Sequence, residues 1–248
     1  MADWDAISHD YERRGVVRIR DFLTPAQVAE VRAAIDRYIA QDLPQQAHRD
    51  CTFEADGTTV RNLWRLEQHA DYFKAFSEQP RIRQLAATLV HGEPVLIAVE
   101  TFNKAARVGS GVPYHQDNAY FCQAPPDVLT MWIAIDPVSV ENGAVYYVEG
   151  SHKLGMLPTK PSGVAGNSVG LVDPPAMPKS EQFCCTLNPG DAAIHHCETI
   201  HHSDPNLTDQ SRLGLLLVFR GAHTVSDVAL RTVYSAAVSH PKPRAVGS

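Results

Sequence analysis

Cysteine is scarce and poorly placed for bridges. The 248 residues hold five, Cys51, Cys122, Cys184, Cys185 and Cys197, with no CxxC pair. An odd count in a long chain argues against a disulfide framework and for a reduced, cytoplasmic setting. Basic charge is also short: 22 Lys and Arg stand against 28 Asp and Glu, a formal net charge of −6. That leaves no electrostatic footprint for nucleic acid, which requires a basic face. No apolar run is long enough to span a bilayer, so no membrane partner is expected. The opening residues, MADWDAISHDYE, lack a cationic stretch followed by an apolar one, and no secretory signal is read there. The Asn206-Leu207-Thr208 sequon is then read as a turn. Internal repeats and low-complexity tracts are absent.

What is present suits one folded domain over residues 1–248. Hydrophobic residues make up 44% and charged residues 20%, enough for a buried core. Residues 1–93 read as mainly helical, 94–222 as a β core, and 223–248 as a C-terminal segment ending in a frayed tail. VVRI (16–19) is a short predicted strand. Thr24, Pro25 and Gln27 form an N-cap, an N1 proline and a capping box. Val28, Val31, Ile35 and Tyr38 then fall on one helical stripe. A second helical region spans about His69 to Val90, interrupted near Pro80. From Pro94 onward short apolar runs alternate with turns such as Glu141-Asn142-Gly143 and Asn188-Pro189-Gly190-Asp191. This punctuation predicts an antiparallel sandwich or barrel. The Gly-, Pro- and Ser-rich stretch 163–180 reads as a surface loop or lid.

The chemistry concentrates in two places. In VPYHQDNAYF (112–121), His115 and Asp117 are two apart. On a strand that spacing points both side chains to one face. One imidazole and one carboxylate are two-thirds of a 2-His-1-carboxylate triad, a set that leaves coordination positions open on Fe(II). The third ligand must come from a distant part of the sheet, and IHHCETIHHS (194–203) offers four histidines. A strand over 192–196, a corner at Cys197-Glu198-Thr199 and a second strand from 200 divide that segment. A hairpin through DPNLTDQ returns Arg212 beside 201–203, which favours the second histidine pair. A metal would bind one end of an acidic cosubstrate while the guanidinium clamps a carboxylate at the other.

These motifs resemble the phytanoyl-CoA dioxygenase family of Fe(II)/2-oxoglutarate-dependent oxygenases. His115-Gln116-Asp117 matches that family's HxD pair. His201 stands ten residues after Asp191 of Gly190-Asp191 and eleven before Arg212, as the distal histidine does there. His201-Ser203-Pro205-Asn206-Thr208 is close to the family's HGSxPNxS, with His202 where glycine is usual. The segment 131–152 is also similar. The resemblance implies a double-stranded β-helix (jelly roll) core, mainly β with N-terminal helices packed on it. It implies Fe(II) held by His115, Asp117 and His201. It implies 2-oxoglutarate held by Arg212 with Ser203, with Gln116 and Trp132 near it, and O2 as oxidant. Arg61, Asn62, Asn103 and Lys104 match only loosely and are given no role. The reaction implied is hydroxylation of an unactivated C–H bond in a small-molecule substrate, releasing succinate and CO2. Asp117 argues against halogenation, because halogenating relatives lack the carboxylate. The alternatives are the same oxidising chemistry diverted to desaturation or cyclisation, or a cupin-like metal enzyme without 2-oxoglutarate.

The remaining residues have plainer readings. His195 and His196 are expected as strand neighbours, one inward and one outward, and His202 on the face opposite His201. Cys197 is expected in the core, Cys184 and Cys185 on opposite strand faces, and His152 in a local hydrogen bond. Tyr114, Asn118, Tyr120 and Phe121 either face substrate or pack the barrel. His9, His48, His69, His91, His223 and His240 are read as solvated or satisfied.

Overall fold

A computed structural model describes residues 4–46 and 50–238. His48, His240 and the expected terminal tail lie outside these residues. The helices before the β core are α1 (Trp4–Arg14), α2 (Pro25–Arg37), α3 (Leu66–His69), α4 (Asp71–Ser77) and α5 (Pro80–Leu89). The Thr24–Gln27 capping box forms at the start of α2. Strands interrupt this region more than expected: β1 (Val16–Ile19), β2 (Cys51–Phe53) and β3 (Val60–Leu63) all join the main sheet.

The remaining strands are β4 (Pro94–Lys104), β5 (Val112–His115), β6 (Gln123–Ala124), β7 (Val128–Ala134), β8 (Val145–Tyr147), β9 (Thr159–Val164), β10 (Asn167–Leu171), β11 (Phe183–Cys185), β12 (Ala192–His196), β13 (His201–Ser203), β14 (Arg212–Gly221) and β15 (Val225–Ser226). Two short helices complete the set, α6 (Asn118–Phe121) and α7 (Val228–Val238). The larger sheet runs β1-β12-β7-β14-β4-β3-β2 and the smaller β11-β8-β13-β5. Their pairings are antiparallel, and the two sheets make the jelly roll. Part of the 163–180 stretch, expected as loop, lies in the β9–β10 hairpin.

Strand alternation decides which side chains meet the site. Leu129, Met131 and Ile133 of β7 and Leu213, Leu215, Leu217 and Phe219 of β14 pack with Val31, Ile35, Phe73 and Leu85 of the helices. That apolar layer is why the N-terminal helices cover this face. The residues between them point the other way. Trp132, Ala134 and Ala193 pack with Tyr147 and Cys185 of the smaller sheet. Residues 130 and 132 of β7, 212, 216 and 218 of β14, and 100 and 102 of β4 therefore open onto the space between the sheets.

Candidate metal and cosubstrate site

The metal-ligating geometry arises where β5 ends. His115 is its last residue, and Asp117 already has helical angles, φ −65° and ψ −28°, at the start of α6. The pair converges through this turn and not through strand alternation, a correction to the sequence reading. His201 begins β13 directly opposite His115. The ligand atoms of His115, Asp117 and His201 lie within 4.8 Å of one another. Nε2 of His115 and of His201 stand 3.5 and 3.6 Å from the same Asp117 oxygen, Oδ1.

The donor set is prepared for a metal. His115 Nδ1 lies 2.8 Å from the Pro113 carbonyl oxygen, and His201 Nδ1 lies 2.9 Å from that of Thr199. A carbonyl only accepts, so each Nδ1 carries the proton and each Nε2 presents a lone pair. Burial lowers both imidazole pKa values, strongly for His201, which keeps them neutral. Burial opposes charge on Asp117, but His201 and His195 outweigh it and hold the carboxyl below its usual range. Two neutral imidazoles and one carboxylate with open positions suit Fe(II).

Beside the triad is a small cavity of about 80 Å³, bordered by Trp132, Val145, Tyr147, Ser203, Arg212 and Leu216. Arg212 is 2% exposed. Its Nε and Nη2 donate to the Gly143 carbonyl at 3.2 and 2.7 Å, and its guanidinium lies 5.0 Å from the Trp132 ring. Burial lowers its pKa to about 10. No acidic side chain pairs with Arg212 among the described residues. A buried guanidinium with no acidic partner, facing a cavity whose carboxylate, Asp117, belongs to the triad, is a site for an anion. Lys104, also buried, gives its Nζ to the Asp204 carbonyl oxygen.

Gln116 does not border this cavity, contrary to expectation. It lies between the two inward ligands and points away. Its amide donates to the carbonyls of Gly155 and Glu198, and its Oε1 accepts from Leu157 N–H. Gln116 therefore ties loops behind the site together. His202 turns to the opposite face from the triad, stacking on Tyr146 and meeting Gln182 Oε1 at 3.1 Å. Cys197 is fully buried, as expected. His152 makes a distant contact, with the Glu12 carbonyl oxygen at 3.1 Å.

A larger cavity of about 360 Å³ meets the triad from the other side at His115, Asp117 and Thr130. Tyr120 and Phe121 line it, whereas Tyr114 packs on His202 and Asn118 bonds to Glu198. Gly166, Asn167 and Ser168 of the expected lid segment reach it, as does Tyr234 of α7. Two residues at the metal site, Thr130 and Tyr147, lay beyond the sequence reading, and His195 was read only as a strand neighbour of either facing. Thr130 Oγ1 donates to Asp117 Oδ2 at 3.0 Å, His195 Nε2 stands 2.9 Å from the same oxygen, and Tyr147 OH is 3.3 Å from His195 Nδ1. Strand parity through Trp132 would have found Thr130.

Fold and triad are those of the non-haem Fe(II)/2-oxoglutarate oxygenases. The match to the phytanoyl-CoA dioxygenase (PhyH) family model covers residues 11–214, and the chain belongs to that family. A probable alpha-ketoglutarate-dependent hypophosphite dioxygenase of Stutzerimonas stutzeri is 27% identical over 222 residues, 86% of this chain and 77% of that protein. Phytanoyl-CoA dioxygenase domain-containing protein 1 of Rattus norvegicus is 28% identical over 151 residues, 59% of this chain. The chain covers 52% of that relative's length. Among solved structures, the non-heme alpha ketoglutarate dependent epimerase SnoN from nogalamycin biosynthesis is 26% identical, with a TM-score of 0.70 over 89% of this chain and 84% of that one. EctD from S. alaskensis, solved with 2-oxoglutarate and 5-hydroxyectoine, shares the fold at 16% identity and a TM-score of 0.72, over 89% of this chain and 76% of that one. Among the described residues no helix is long and apolar enough to cross a membrane.

Proposed function

We propose that this protein is an Fe(II)- and 2-oxoglutarate-dependent oxygenase that hydroxylates an unactivated C–H bond of a small cytoplasmic metabolite, and that it does not act on nucleic acid. The observation that carries the reading is Arg212, a buried guanidinium without an acidic partner, across a small cavity from the triad. His115, Asp117 and His201 would hold the iron through Nε2, one carboxylate oxygen and Nε2. Iron with 2-oxoglutarate supplies O2 activation: R–H, O2 and 2-oxoglutarate give R–OH, succinate and CO2.

The chain's own residues do the positioning. Arg212 receives the distal carboxylate in bidentate fashion, with Ser203 beside it and Trp132 as a wall. Apolar Val145 and Leu216 exclude water from the same cavity. The larger cavity would hold the substrate with its reacting carbon toward the His115–Asp117 edge, a reading supported by those two residues lining it. A second reading is epimerisation or ring closure by the same oxidant, favoured by the likeness to an epimerase at 26% identity. The test is reconstitution with Fe(II), 2-oxoglutarate and O2 against a panel of small metabolites. Succinate release that rises with one of them supports the reading. No succinate under any condition, coupled or uncoupled, overturns it.

A further inference from the structure

The larger cavity carries an unequal set of charges. Among the described residues no Lys or Arg side chain lines it. Its carboxylates are Asp117, turned to the metal site, and Glu100. Glu100 sits on β4 opposite Leu216 of β14, on the inward face. Among the described residues no protein hydrogen-bond donor meets its carboxyl group. Burial first, then Asp117 and Glu67, push that carboxyl up to about 8, with Arg65 acting the other way. Beside an ammonium the carboxylate form of Glu100 is favoured and accepts a charge-assisted hydrogen bond.

The other polar groups of the wall are mostly committed. Thr130 donates to Asp117, Tyr120 to the Val169 carbonyl, and the Thr52 hydroxyl accepts from Trp64. One exception matters: Asn167 Oδ1 is buried and has no hydrogen-bond partner. Asn167 Oδ1 and an ionised Glu100 are acceptors for a ligand's N–H groups, and the hydroxyls of Thr52 and Tyr234, which accept from Trp64 and Ser168, can serve a ligand in either sense. The apolar part of the wall is mostly aromatic, with Trp64, Phe102, Tyr120, Phe121 and Tyr234 beside Leu216 and Val218. Aromatic faces attract organic cations, and an acid nearby strengthens that preference. Phosphate, phosphonate or carboxylate groups would meet no countercharge among the described residues here.

We propose that this cavity selects a small substrate bearing a protonated amine, with the ammonium seated between Glu100, Asn167 and the aromatic walls, and a C–H bond of the same molecule turned toward the His115–Asp117 edge. This rests on the proposed function, since the cavity is a substrate site only if the triad holds iron and the smaller cavity holds 2-oxoglutarate.

The test uses three probes of matched shape: 2-phenylethylammonium, 2-phenylethanol and phenylacetate. Each is titrated calorimetrically, without oxygen, into the enzyme loaded with Fe(II) and 2-oxoglutarate. The ammonium should bind at least about tenfold tighter than the alcohol, and phenylacetate weakest. Glu100→Gln should bring the ammonium to within about twofold of the alcohol, whereas Glu100→Asp should keep the order. The proposal is overturned if the alcohol or the carboxylate equals the ammonium in the wild type, if none of the three binds, or if the preference survives in E100Q. The wild-type ranking decides even where E100Q fails to fold. A 2-oxoglutarate titration of the wild type separates the two readings. Absent binding there sinks the proposed function, whereas intact binding without an ammonium preference sinks this inference alone.

Discussion

His195 Nε2 lies 2.9 Å from Asp117 Oδ2, the carboxylate oxygen turned away from His115 and His201. A carboxylate only accepts, so Nε2 carries the His195 proton, and Nδ1, 3.3 Å from the Tyr147 hydroxyl, accepts from it. Thr130 Oγ1 is the second donor to Oδ2. Oδ2 is thus occupied by two protein donors, and Oδ1 alone faces the two histidine ligands. The arrangement fixes Asp117 as a one-oxygen ligand.

Outer partners of this kind typically account for 10- to 100-fold in metal affinity. His195→Ala should therefore weaken Fe(II) binding by about 10- to 100-fold without removing a ligand, as read by anoxic titration. Tyr147→Phe should have a smaller effect, because it removes only the donor that orients His195. Unchanged affinity in His195→Ala would mean that Thr130 alone holds the carboxylate.

Arg212 offers a separation of function from stability. A buried cation without an acidic partner is costly to the folded protein, and replacing such charges with apolar residues is often neutral or stabilising. Arg212→Met should leave the thermal midpoint of the metal-free protein unchanged or raised. It should also weaken 2-oxoglutarate binding by at least about 30-fold, since losing one partner of a buried charge pair costs about 2–5 kcal/mol. Arg212→Lys should recover little, because an ammonium cannot grip a carboxylate in bidentate fashion. Retained 2-oxoglutarate binding in Arg212→Met would exclude the clamp.

Much of this was legible in the sequence, because it depends on local rules and fixed spacings. The capping box at Thr24 forms as read, since both partners lie within four residues. His115, Asp117, His201 and Arg212 come together, although the turn after β5 and not the two-residue strand spacing brings Asp117 in. What the sequence hid depends on tertiary context. Strand parity says that one of His195 and His196 faces inward, but only the β12–β7 register, His195 opposite Thr130, says which. Gln116 looked like part of the site because of its neighbours, yet the turn after β5 aims it at the backbones of Gly155 and Glu198. Strands β2 and β3 are short and partly polar, and they exist because β4 offers an edge to β3, which in turn pairs with β2. The aromatic cavity draws on β4, α6, α7 and the β9–β10 hairpin, which no linear pattern joins.

His196 gives a pH dependence with a definite sign. Burial first, then His152, His195 and His91, hold its imidazole at about 4, against 6.5 for the free group. The unfolded chain therefore binds a proton that the folded one refuses between pH 6.5 and 4. Stability is full above that window and falls as pH drops through it. The loss from this residue should reach at most about 2 kcal/mol between pH 6.5 and 5. Urea unfolding of wild type and His196→Gln at the two pH values checks it. The variant should show a shallower decline, and an equal decline in both would assign the effect to other groups.

Gly214 is the one position in β14 where a single methyl group would reach the cosubstrate cavity. A Cβ built there would stand 2.3 Å from Cε2 and Cζ2 of Trp132, a distance no pair of carbons can keep. Backbone on either side is held by β4 and β7, so the indole must give way. Trp132 borders the cavity of about 80 Å³ and lies 5.0 Å from the Arg212 guanidinium, so its displacement alters that cavity. Gly214→Ala should cost about 1–3 kcal/mol in stability, as overpacking does, and raise the KM for 2-oxoglutarate. Trp132→Phe shortens the ring and removes Cζ2, one of the three close atoms beside Cε2 and Nε1. The double variant Gly214→Ala, Trp132→Phe should recover part of the stability and KM lost by Gly214→Ala alone, a coupling that a thermodynamic cycle measures directly. Additive effects in that cycle would show that the methyl group acts on the strand backbone and not on the indole.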